Sequence, residues 1–272
     1  MVSDSFGPID VSNWELSKRP IAGRYPKREL TIDGKSYIIK FADYKQNKRE
    51  IPYHVSEYIS CRLIKSLGYE VQEVAMATYQ GNIGCLIETY SEPLITFEGL
   101  GISTLSGKNL LYDLDLLNSL FNEGNYAKDF EAYLWDTFCV DSFITNLDRH
   151  PNNWGFFKRE GLYYNAPLFD NASSLYSLNA FSLGKMADLE NHIKKFSNST
   201  VAYNGERHSF ESIIFSRPSP IFEARLKIFK ERLKGLELGS LHKISKYWPQ
   251  YNNYIDFVEI FLERQVSWFG KI

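Results

Sequence analysis

The chain of 272 residues has only three cysteines, Cys61, Cys85 and Cys139. They lie far apart, none belongs to a C-x-x-C pair, and each is surrounded by apolar sequence. We therefore expect buried, reduced thiols rather than disulfides, in a reducing compartment. The five histidines are scattered. They form neither an H-E-x-x-H motif nor a cluster with cysteine, which argues against a structural zinc site.

The sequence also lacks a large excess of charge and any long apolar run. Its 31 Lys and Arg and 33 Asp and Glu give a formal net charge of −2. This near balance argues against nucleic acid or an anionic membrane as the main partner. No segment is long and apolar enough for a membrane span, and residues 1–20 do not resemble a secretory signal. We expect a cytoplasmic protein without membrane contact; secretion as an effector without a secretory signal is compatible with this.

The first third of the sequence has strand patterns, and the rest is mainly helical. A hairpin is predicted at 30–41 around the dipeptide Asp33-Gly34, and a second at 71–88 around Gln80-Gly81-Asn82. Between them, helical spacing at 55–67 ends at a glycine. Further helices are predicted at 109–121, 128–145, 218–235 and 251–268.

These patterns predict an α+β chain with two lobes. The β-rich N-lobe, with its one helix, comprises residues 1–95, and the helical C-lobe comprises residues 96–272. Short strands and loops between 146 and 205 interrupt the helices of the C-lobe. The two lobes together are predicted to form one domain, since the chain length suits a single sizeable core.

A polar loop at 145–156 holds Asp148 and Asn153, which are five positions apart. Phosphoryl transfer needs a carboxylate that accepts the proton of the attacking hydroxyl, and an oxygen ligand for Mg²⁺ nearby. The D-x-x-x-x-N spacing of a kinase catalytic loop supplies both. The alternative is a surface loop in which Asp and Asn only form turns. The rarer run D-R-H-P-N-N between apolar segments favours the catalytic interpretation.

Asp170 ends the apolar run A-P-L-F-D, 17 residues after Asn153. A carboxylate at the end of a short strand would suit a second Mg²⁺ ligand, because Mg²⁺ is commonly held by one or two protein oxygens together with phosphate. Asp170 could instead cap a turn. The presence of Asp148 and Asn153 favours the metal role, so we predict Asn153 and Asp170 as metal ligands.

Lys40 ends the strand pattern S-Y-I-I-K-F. It shares a strand face with Ile38, opposite the predicted core stripe, so its ammonium could contact nucleotide phosphates while Ile38 packs against adenine. Glu57 lies at the apolar margin of the predicted helix, where an unpaired carboxylate would be costly. An ion pair with Lys40 would remove that cost, and such a pair orients the phosphate-binding lysine of kinases. The alternatives are a solvated lysine and a glutamate that reaches water at the helix edge.

Two further segments are weaker candidates for nucleotide contacts. Residues 19–25 precede the first hairpin and could cover the phosphates, with Gly23 as their single glycine or with their arginines as charges. Glu88 and Tyr90 lie at the end of the last N-lobe strand, where backbone groups could bind the adenine edge. A plain linker would have the same appearance.

These segments resemble the HipA-like serine/threonine kinases of bacteria, in particular their short CtkA-type form. The resemblance rests on S-Y-I-I-K-F, S-E-Y-I-S-C-R-L-I-K-S-L-G-Y, N-L-D-R-H-P-N-N-W-G-F and A-P-L-F-D, and covers residues 15–180. It implies an α+β, two-lobed protein-kinase-like fold, ATP as donor, Mg²⁺, and transfer of the γ-phosphoryl group to Ser or Thr of a protein substrate.

The resemblance also implies residue roles and partners. Asp148 would be the catalytic base, Asn153 and Asp170 the metal ligands, and Lys40 the lysine on the phosphates. His150 occupies the position of the histidine in the family's catalytic loop and would orient its neighbours. An antitoxin or another regulator is an implied partner. Full-length HipA toxins carry an additional N-terminal domain that we do not expect here, which puts the usual antitoxin contact in doubt.

Autophosphorylation is a further expectation from the resemblance. Full-length HipA toxins can be switched by phosphorylation of a serine in the phosphate loop, but residues 19–25 contain no serine. Ser173, Ser174 and Ser177, which follow the predicted metal ligand Asp170, are alternative candidate sites.

Two other functions fit the same residues. The sequence D-R-H followed by asparagine also resembles the catalytic loop of phosphatidylinositol kinases, so a lipid or small-molecule kinase is an alternative. The near-neutral charge argues against it, and the basic stretch at 223–235 suits a solvated helix face. A pseudokinase-like binding module is the second alternative, although the sequence retains Lys40, Asp148, Asn153 and Asp170.

Overall fold

The computed structural model describes residues 7–17, 26–44, 50–100, 130–177, 198–203, 206–239 and 241–272. The chain divides into two compact units. The first unit comprises Met1–Ser91, Asp170–Met186 and Leu236–Ile272, and the second comprises Glu92–Phe169 and Ala187–Gly235. Two segments of the predicted C-lobe thus belong to the first unit, and the lobe boundary at residue 95 stays a prediction.

The first unit contains a six-stranded sheet. The described residues of the first unit contain eight strands, and six of them form this sheet. The strands are β1 (Ile9–Asp10), β2 (Glu15–Leu16), β3 (Lys27–Ile32), β4 (Lys35–Lys40), β5 (Asp43–Tyr44), β6 (Glu50–Ile51), β7 (Val74–Tyr79) and β8 (Asn82–Glu88). The order across the sheet is β1-β7-β8-β4-β3-β2. β1 is parallel to β7, and all other neighbours are antiparallel. β5 and β6 pair separately, and helix α1 (Tyr53–Ser66) follows them.

Both predicted hairpins and the predicted helix between them are confirmed. Asp33 and Gly34 have φ values of 50° and 75°, and Gln80 and Gly81 have φ values of 50° and 79°. Two successive positive values are typical of the tight turns that match the twist of paired strands. Helix α1 ends just before Gly68, whose φ of 75° is typical of the residue that terminates a helix.

One core cluster of the first unit lies on the Tyr37 face of its sheet. It contains Val11, Leu30, Tyr37, Ile39, Ala77 and Leu86, all buried. Tyr37 and Ile39 alternate with Ile38 along β4, as the period of two in a strand requires. The predicted core stripe of β4 is therefore confirmed, and Ile38 is half-buried on the other side.

The second unit is richer in helix. Its helices are α2 (Phe130–Ile144), α3 (Phe210–Ser216) and α4 (Pro220–Leu233), and its strands are β9 (Ile95–Thr96), β10 (Gly155–Arg159), β11 (Leu162–Asn165), β12 (Asn198–Tyr203) and β13 (Glu206–Ser209). β10 lies between β9 and β11, while β12 pairs with β13. Trp135 and Phe138 of α2 pack on Phe222 of α4 at ring distances of 4.7 and 5.8 Å.

The last two helices, α5 (His242–Ser245) and α6 (Asn252–Lys271), belong to the first unit. The Tyr254 hydroxyl of α6 donates to the Leu175 carbonyl at 3.1 Å, and Tyr176 packs against Phe261 at 5.2 Å. The segment that follows Asp170 is held by these contacts. The helices predicted at 128–145, 218–235 and 251–268 are confirmed, whereas the one at 109–121 lies outside the described residues.

The three cysteines are buried and form no disulfide bond, as predicted. Burial raises the pKa of the Cys139 thiol. Burial is also the main reason why the pKa of Cys61 is raised, and the negative charge of nearby Glu57 is the second. These thiols are therefore poorly reactive at neutral pH. Within the described ranges, no helix has both the length and the apolar composition that a membrane crossing needs.

Candidate active site

Lys40 lies at the centre of a charged cluster in the first unit. The residue ends β4 and is only 7% exposed. Its Nζ donates to Oε2 of Glu57 at 2.7 Å and to Oδ1 of Asp170 at 2.8 Å. The predicted Lys40–Glu57 ion pair is thus present. Glu57 is fully buried, so the pair compensates a carboxylate that would otherwise be strongly destabilising.

The Lys40 ammonium thus binds two carboxylates at once. Burial by itself would lower the pKa of Lys40, but the attraction of Asp170 and Glu57 outweighs burial and raises that pKa above its ordinary value. Lys40 is therefore protonated at physiological pH. The Asp170 side chain is 37% exposed. An accessible carboxylate suits Mg²⁺, which prefers oxygen ligands.

Glu57 also fixes the backbone beside Asp170. Its Oε1 accepts a hydrogen bond from the Asn171 N–H at 3.0 Å and from the Cys61 thiol at 3.6 Å. The side-chain amide of Asn171 donates in turn to the Cys61 sulfur at 3.6 Å. Asp170 itself has a φ of 54°, a conformation that aspartate tolerates better than most residues. One buried carboxylate thus holds Lys40 and the residue that follows Asp170.

Lys27 is a site residue that was not predicted from the sequence. It pairs with Lys40 across β3 and β4, and directly opposite residues share one face of a sheet. Burial and then repulsion by Lys40 lower the pKa of Lys27, while Asp170 acts in the opposite direction. Lys27 forms no ion pair with any residue that the structure describes. Lys27 could have been found from the sequence, because a hairpin that turns at 33–34 pairs position 27 with position 40.

Gly84 of β8 permits the close approach of the strand that carries Lys40. A Cβ at this position would lie 2.5 Å from the Lys40 carbonyl oxygen and 2.9 Å from the Ile39 side chain. A larger residue would therefore displace β4. Ile38 lies half-buried on the Lys40 face of the strand, as predicted.

The remaining predicted nucleotide contacts are only partly described. Glu88 ends β8, where its side chain accepts from Lys35 at 3.3 Å and its N–H donates to the Glu73 carbonyl at 3.0 Å. A contact between Glu88 and adenine would therefore have to use the Glu88 carbonyl. Tyr90 is half-buried. Gly23 lies outside the described residues.

Asp148 and Asn153 lie together in the second unit, in the loop after α2. The Asn153 side-chain amide donates to the Asp148 carbonyl at 2.8 Å. A carbonyl can only accept, so the NH₂ group of the Asn153 side chain faces Asp148. Oδ1 of Asn153 therefore points away from the Asp148 carbonyl, which leaves this oxygen for a metal ion. The His150 N–H also donates to the Asp148 carbonyl. Nδ1 of His150 accepts from the Asn152 N–H at 3.3 Å and so caps the following turn. The predicted orienting role of His150 is compatible with these contacts.

Arg149 is a second residue that was not predicted. It is fully buried and forms a bidentate pair with Asp141 of α2, with distances of 2.9 Å from Nε and 2.8 Å from Nη2. Its Nη1 donates to the carbonyls of Asn153 and Phe169 at 3.1 and 2.8 Å. Phe169 directly precedes Asp170. Asp141 could have pointed to Arg149 in the sequence, because a carboxylate in an apolar helix needs a buried partner.

The serines proposed for autophosphorylation lie in a buried segment of the first unit. Ser173, Ser174 and Ser177 are 8%, 0% and 0% exposed. The Ser177 hydroxyl donates to the Ala172 carbonyl at 2.9 Å, and the Ser174 carbonyl accepts from Ser56 at 2.8 Å. Phosphorylation of any of the three would require this segment to open, and these sites stay a prediction.

Comparisons with known proteins show the family of this chain. The family model of the HipA-like C-terminal domain matches residues 20–216. The chain belongs to the HipA-like family. It is 32% identical over 167 residues to the serine/threonine-protein kinase CtkA of Helicobacter pylori (strain J99). That match covers 55% of this chain and 50% of CtkA, so the chain spans about half the length of this curated relative.

Two solved structures show the fold of this HipA-like chain. The crystal structure of the Helicobacter pylori proinflammatory kinase CtkA superposes with a TM-score of 0.79 at 23% identity, covering 97% of this chain and 98% of that one. HipA of Shewanella oneidensis MR-1, solved with HipB and operator DNA, gives a TM-score of 0.59 at 15% identity, covering 96% and 67%. The chain has the predicted α+β, two-lobed protein-kinase-like fold, with a small β-rich N-lobe and a larger, mainly helical C-lobe.

Proposed function

We propose that this HipA-like chain is an ATP- and Mg²⁺-dependent protein kinase that transfers the γ-phosphoryl group to Ser or Thr. The observation that carries the proposal is the cluster of Lys40, Glu57 and Asp170. Phosphoryl transfer needs a cation for the phosphates, a carboxylate that orients it and an oxygen ligand for the metal. The activity named for CtkA supports the choice of Ser and Thr as acceptors.

The nucleotide would be bound mainly by the first unit. Lys40 and Lys27 lie on one face of the sheet and would both contact phosphate oxygens. Asp170 would exchange its bond to Lys40 for a bond to the metal, which leaves Nζ of Lys40 for a phosphate. Ile38 would pack on adenine, with its edge near Glu88 and Tyr90. We also assign the segment around Gly23 to the phosphates.

The transfer step would use the loop of the second unit. Asp148 would orient the acceptor hydroxyl and take its proton, while Asn153 would join Asp170 as a metal ligand. His150 would keep the loop in shape through its contacts with Asp148 and Asn152. Bound Mg²⁺ would neutralise negative charge on the phosphate oxygens.

Intact-mass measurement of the purified protein with Mg·ATP, alone and with protein substrates, tests this function. The wild type should transfer phosphate. Asp148→Asn and Asp170→Asn should each reduce the rate at least ~10²-fold, because each removes a group that acts on the reacting atoms. Asp256→Asn, an exposed aspartate on α6, is the matched control and should keep the wild-type rate.

Two outcomes would contradict the proposal. A wild-type protein that neither transfers phosphate nor hydrolyses ATP would favour the pseudokinase-like alternative. Phosphate found on phosphatidylinositol vesicles and on no protein would favour the lipid-kinase alternative.

A regulatory partner and a location are part of the same proposal. HipA of Shewanella oneidensis was solved with HipB and operator DNA. By analogy, we propose that this chain acts as a toxin or effector kinase and is restrained by an antitoxin or another regulator. Its free, buried thiols suit the reducing cytoplasm. Growth arrest on expression that Asp148→Asn abolishes would support the toxin role, and growth unaffected by the active enzyme would contradict it.

A further inference from the structure

The buried pair of Arg149 and Asp141 has contacts that an ordinary structural ion pair does not need. We propose that Arg149 and Asp141 are positioning residues for phosphoryl transfer, which fix the candidate base and the two candidate metal ligands through the backbone. The inference rests on the proposed function and adds two residues to its site.

Arg149 divides its donors between a side chain and the backbone. Nε and Nη2 bind the two carboxylate oxygens of Asp141, while Nη1 donates to the carbonyls of Asn153 and Phe169. The planar guanidinium carries these donors in a fixed geometry. Asn153 is itself a candidate metal ligand, and the Phe169 carbonyl belongs to the peptide bond that joins Phe169 to Asp170. Arg149 therefore links both metal-binding positions to α2.

Asp141 reaches the candidate base by a second route. Its Oδ1 accepts from the side-chain amide of Asn146 at 3.1 Å, and its backbone carbonyl accepts from the Asn146 N–H at 2.8 Å. Oδ1 of Asn146 then accepts from the Asp148 N–H at 3.2 Å. All of these groups except Asp148 are almost completely buried. The position of Asp148 is thus tied to the same carboxylate that holds Arg149.

Stability alone does not explain this arrangement. The side chains of Arg149 and Asp141 are 0% and 2% exposed. At such burial, apolar residues of similar volume often stabilise a fold as well as an ion pair does. Apolar residues cannot, however, donate to the carbonyls of Asn153 and Phe169. Catalysis is sensitive to displacements of about 1 Å, which can reduce a rate about 10²-fold.

The double variant Asp141→Leu/Arg149→Met separates positioning from stability. It removes both charges together but leaves the carbonyls of Asn153 and Phe169 and the Asn146 amide without these partners, so we expect a thermal midpoint below that of the wild type but above that of Asp141→Leu. The phosphorylation rate should fall about 10²-fold. The Mg²⁺ concentration at half-maximal rate should rise at least about tenfold, because the backbone of both metal ligands loses its donor. A purely structural role would not change this Mg²⁺ dependence.

The matched control is the pair of Arg225 and Asp136. Asp136 also lies on α2, and Nε of Arg225 donates to it at 2.7 Å, with a second bond from Nη2. Asp136→Leu/Arg225→Met should leave the rate and the Mg²⁺ dependence at wild-type values. Arg149→Lys keeps a positive charge beside Asp141 but loses the planar guanidinium that also donates to the carbonyls of Asn153 and Phe169. This variant should raise the Mg²⁺ requirement even if the double variant fails to fold.

Wild-type Mg²⁺ dependence in a folded double variant, or in Arg149→Lys, would overturn the inference. Mg²⁺-dependent binding of a fluorescent ATP analogue is measured in parallel and should weaken in the same variants. If the wild type does not phosphorylate anything, the proposed function fails, while the binding comparison still decides whether Arg149 and Asp141 position the metal ligands.

Discussion

Two buried ionic clusters among the described residues differ in their exposure to solvent. In the first unit, Lys40 faces the carboxylates of Glu57 and Asp170, and Asp170 is 37% exposed. In the second unit, Arg149 faces the single carboxylate of Asp141, and both side chains are almost completely buried. The first cluster is thus open to solvent at Asp170, whereas the second is closed.

This difference suits the first cluster to binding a ligand and the second to holding the neighbouring backbone in place. A cluster with an accessible carboxylate oxygen can exchange an internal ion pair for a bound cation. A closed, buried pair has no such capacity, but its guanidinium can hold backbone carbonyls in place. The predictions below test this separation, and the largest expected effect comes first.

Removal of one partner of the closed cluster should have the largest effect on stability. Asp141→Leu leaves a buried guanidinium that cannot lose its proton, and we expect a loss of about 3–5 kcal/mol in the free energy of unfolding. Urea denaturation measures this loss. Asp136→Leu, in the more exposed pair with Arg225, should cost about 1 kcal/mol. Equal losses in the two variants would mean that burial does not distinguish the pairs.

Removal of the cation of the open cluster should affect activity more than stability. Lys40→Met removes the proposed phosphate contact, so we expect the phosphorylation rate to fall at least ~10²-fold. The loss of stability should be smaller than in Asp141→Leu, because a carboxylate left by Lys40 can be neutralised by a proton. Lys35→Met, at the other end of β4, is the control. A stable, fully active Lys40→Met would remove the basis for the phosphate-binding role.

A buried histidine makes the first unit sensitive to acid. His54 is 1% exposed, and burial lowers its pKa to about 3. Among the described residues its Nδ1 has no hydrogen-bond partner. The unfolded chain takes up this proton below pH ~6.5, but the folded protein does not until about pH 3, so stability is lost as the pH falls through this window.

The contribution of His54 should be about 1.4 kcal/mol per pH unit below pH ~6. His54→Phe keeps a ring next to Trp248 and Tyr251 but removes the titration. Urea midpoints of the variant should therefore change less between pH 7 and pH 5 than those of the wild type. An unchanged pH dependence would show that His54 is not the group responsible.

The smallest effect is expected at Lys27. Lys27→Met should raise the KM for ATP about tenfold with little change in kcat, because it removes one charge-assisted contact to phosphate. The lowered pKa of Lys27 means that it loses its charge before Lys40 as the pH rises. ATP affinity should therefore fall at alkaline pH in the wild type and less in the variant. Lys35→Met again serves as the control, and an equal effect there would exclude a specific role.

Several features follow from residues that are close in sequence. Asp33-Gly34 predicts the first hairpin, and the spacing at 55–67 predicts α1. The period of two in β4 places Lys40 opposite the core stripe, and the position of Glu57 at an apolar helix margin predicts their ion pair. Each feature depends on turn chemistry or on the periodicity of one element, which neighbouring residues determine.

Other features depend on partners that are distant in sequence. Asp170 lies 130 positions from Lys40, and only the folded chain shows that the two share a bond. Arg149 belongs to a polar loop whose composition suggests exposure, yet its contacts with Asp141 and Phe169 bury it completely. The sequence by itself determined both hairpins, helix α1 and the helices near 128–145, 218–235 and 251–268, and it supplied most of the candidate residues. Tertiary structure decided which charges are buried, because burial depends on groups that local sequence does not specify.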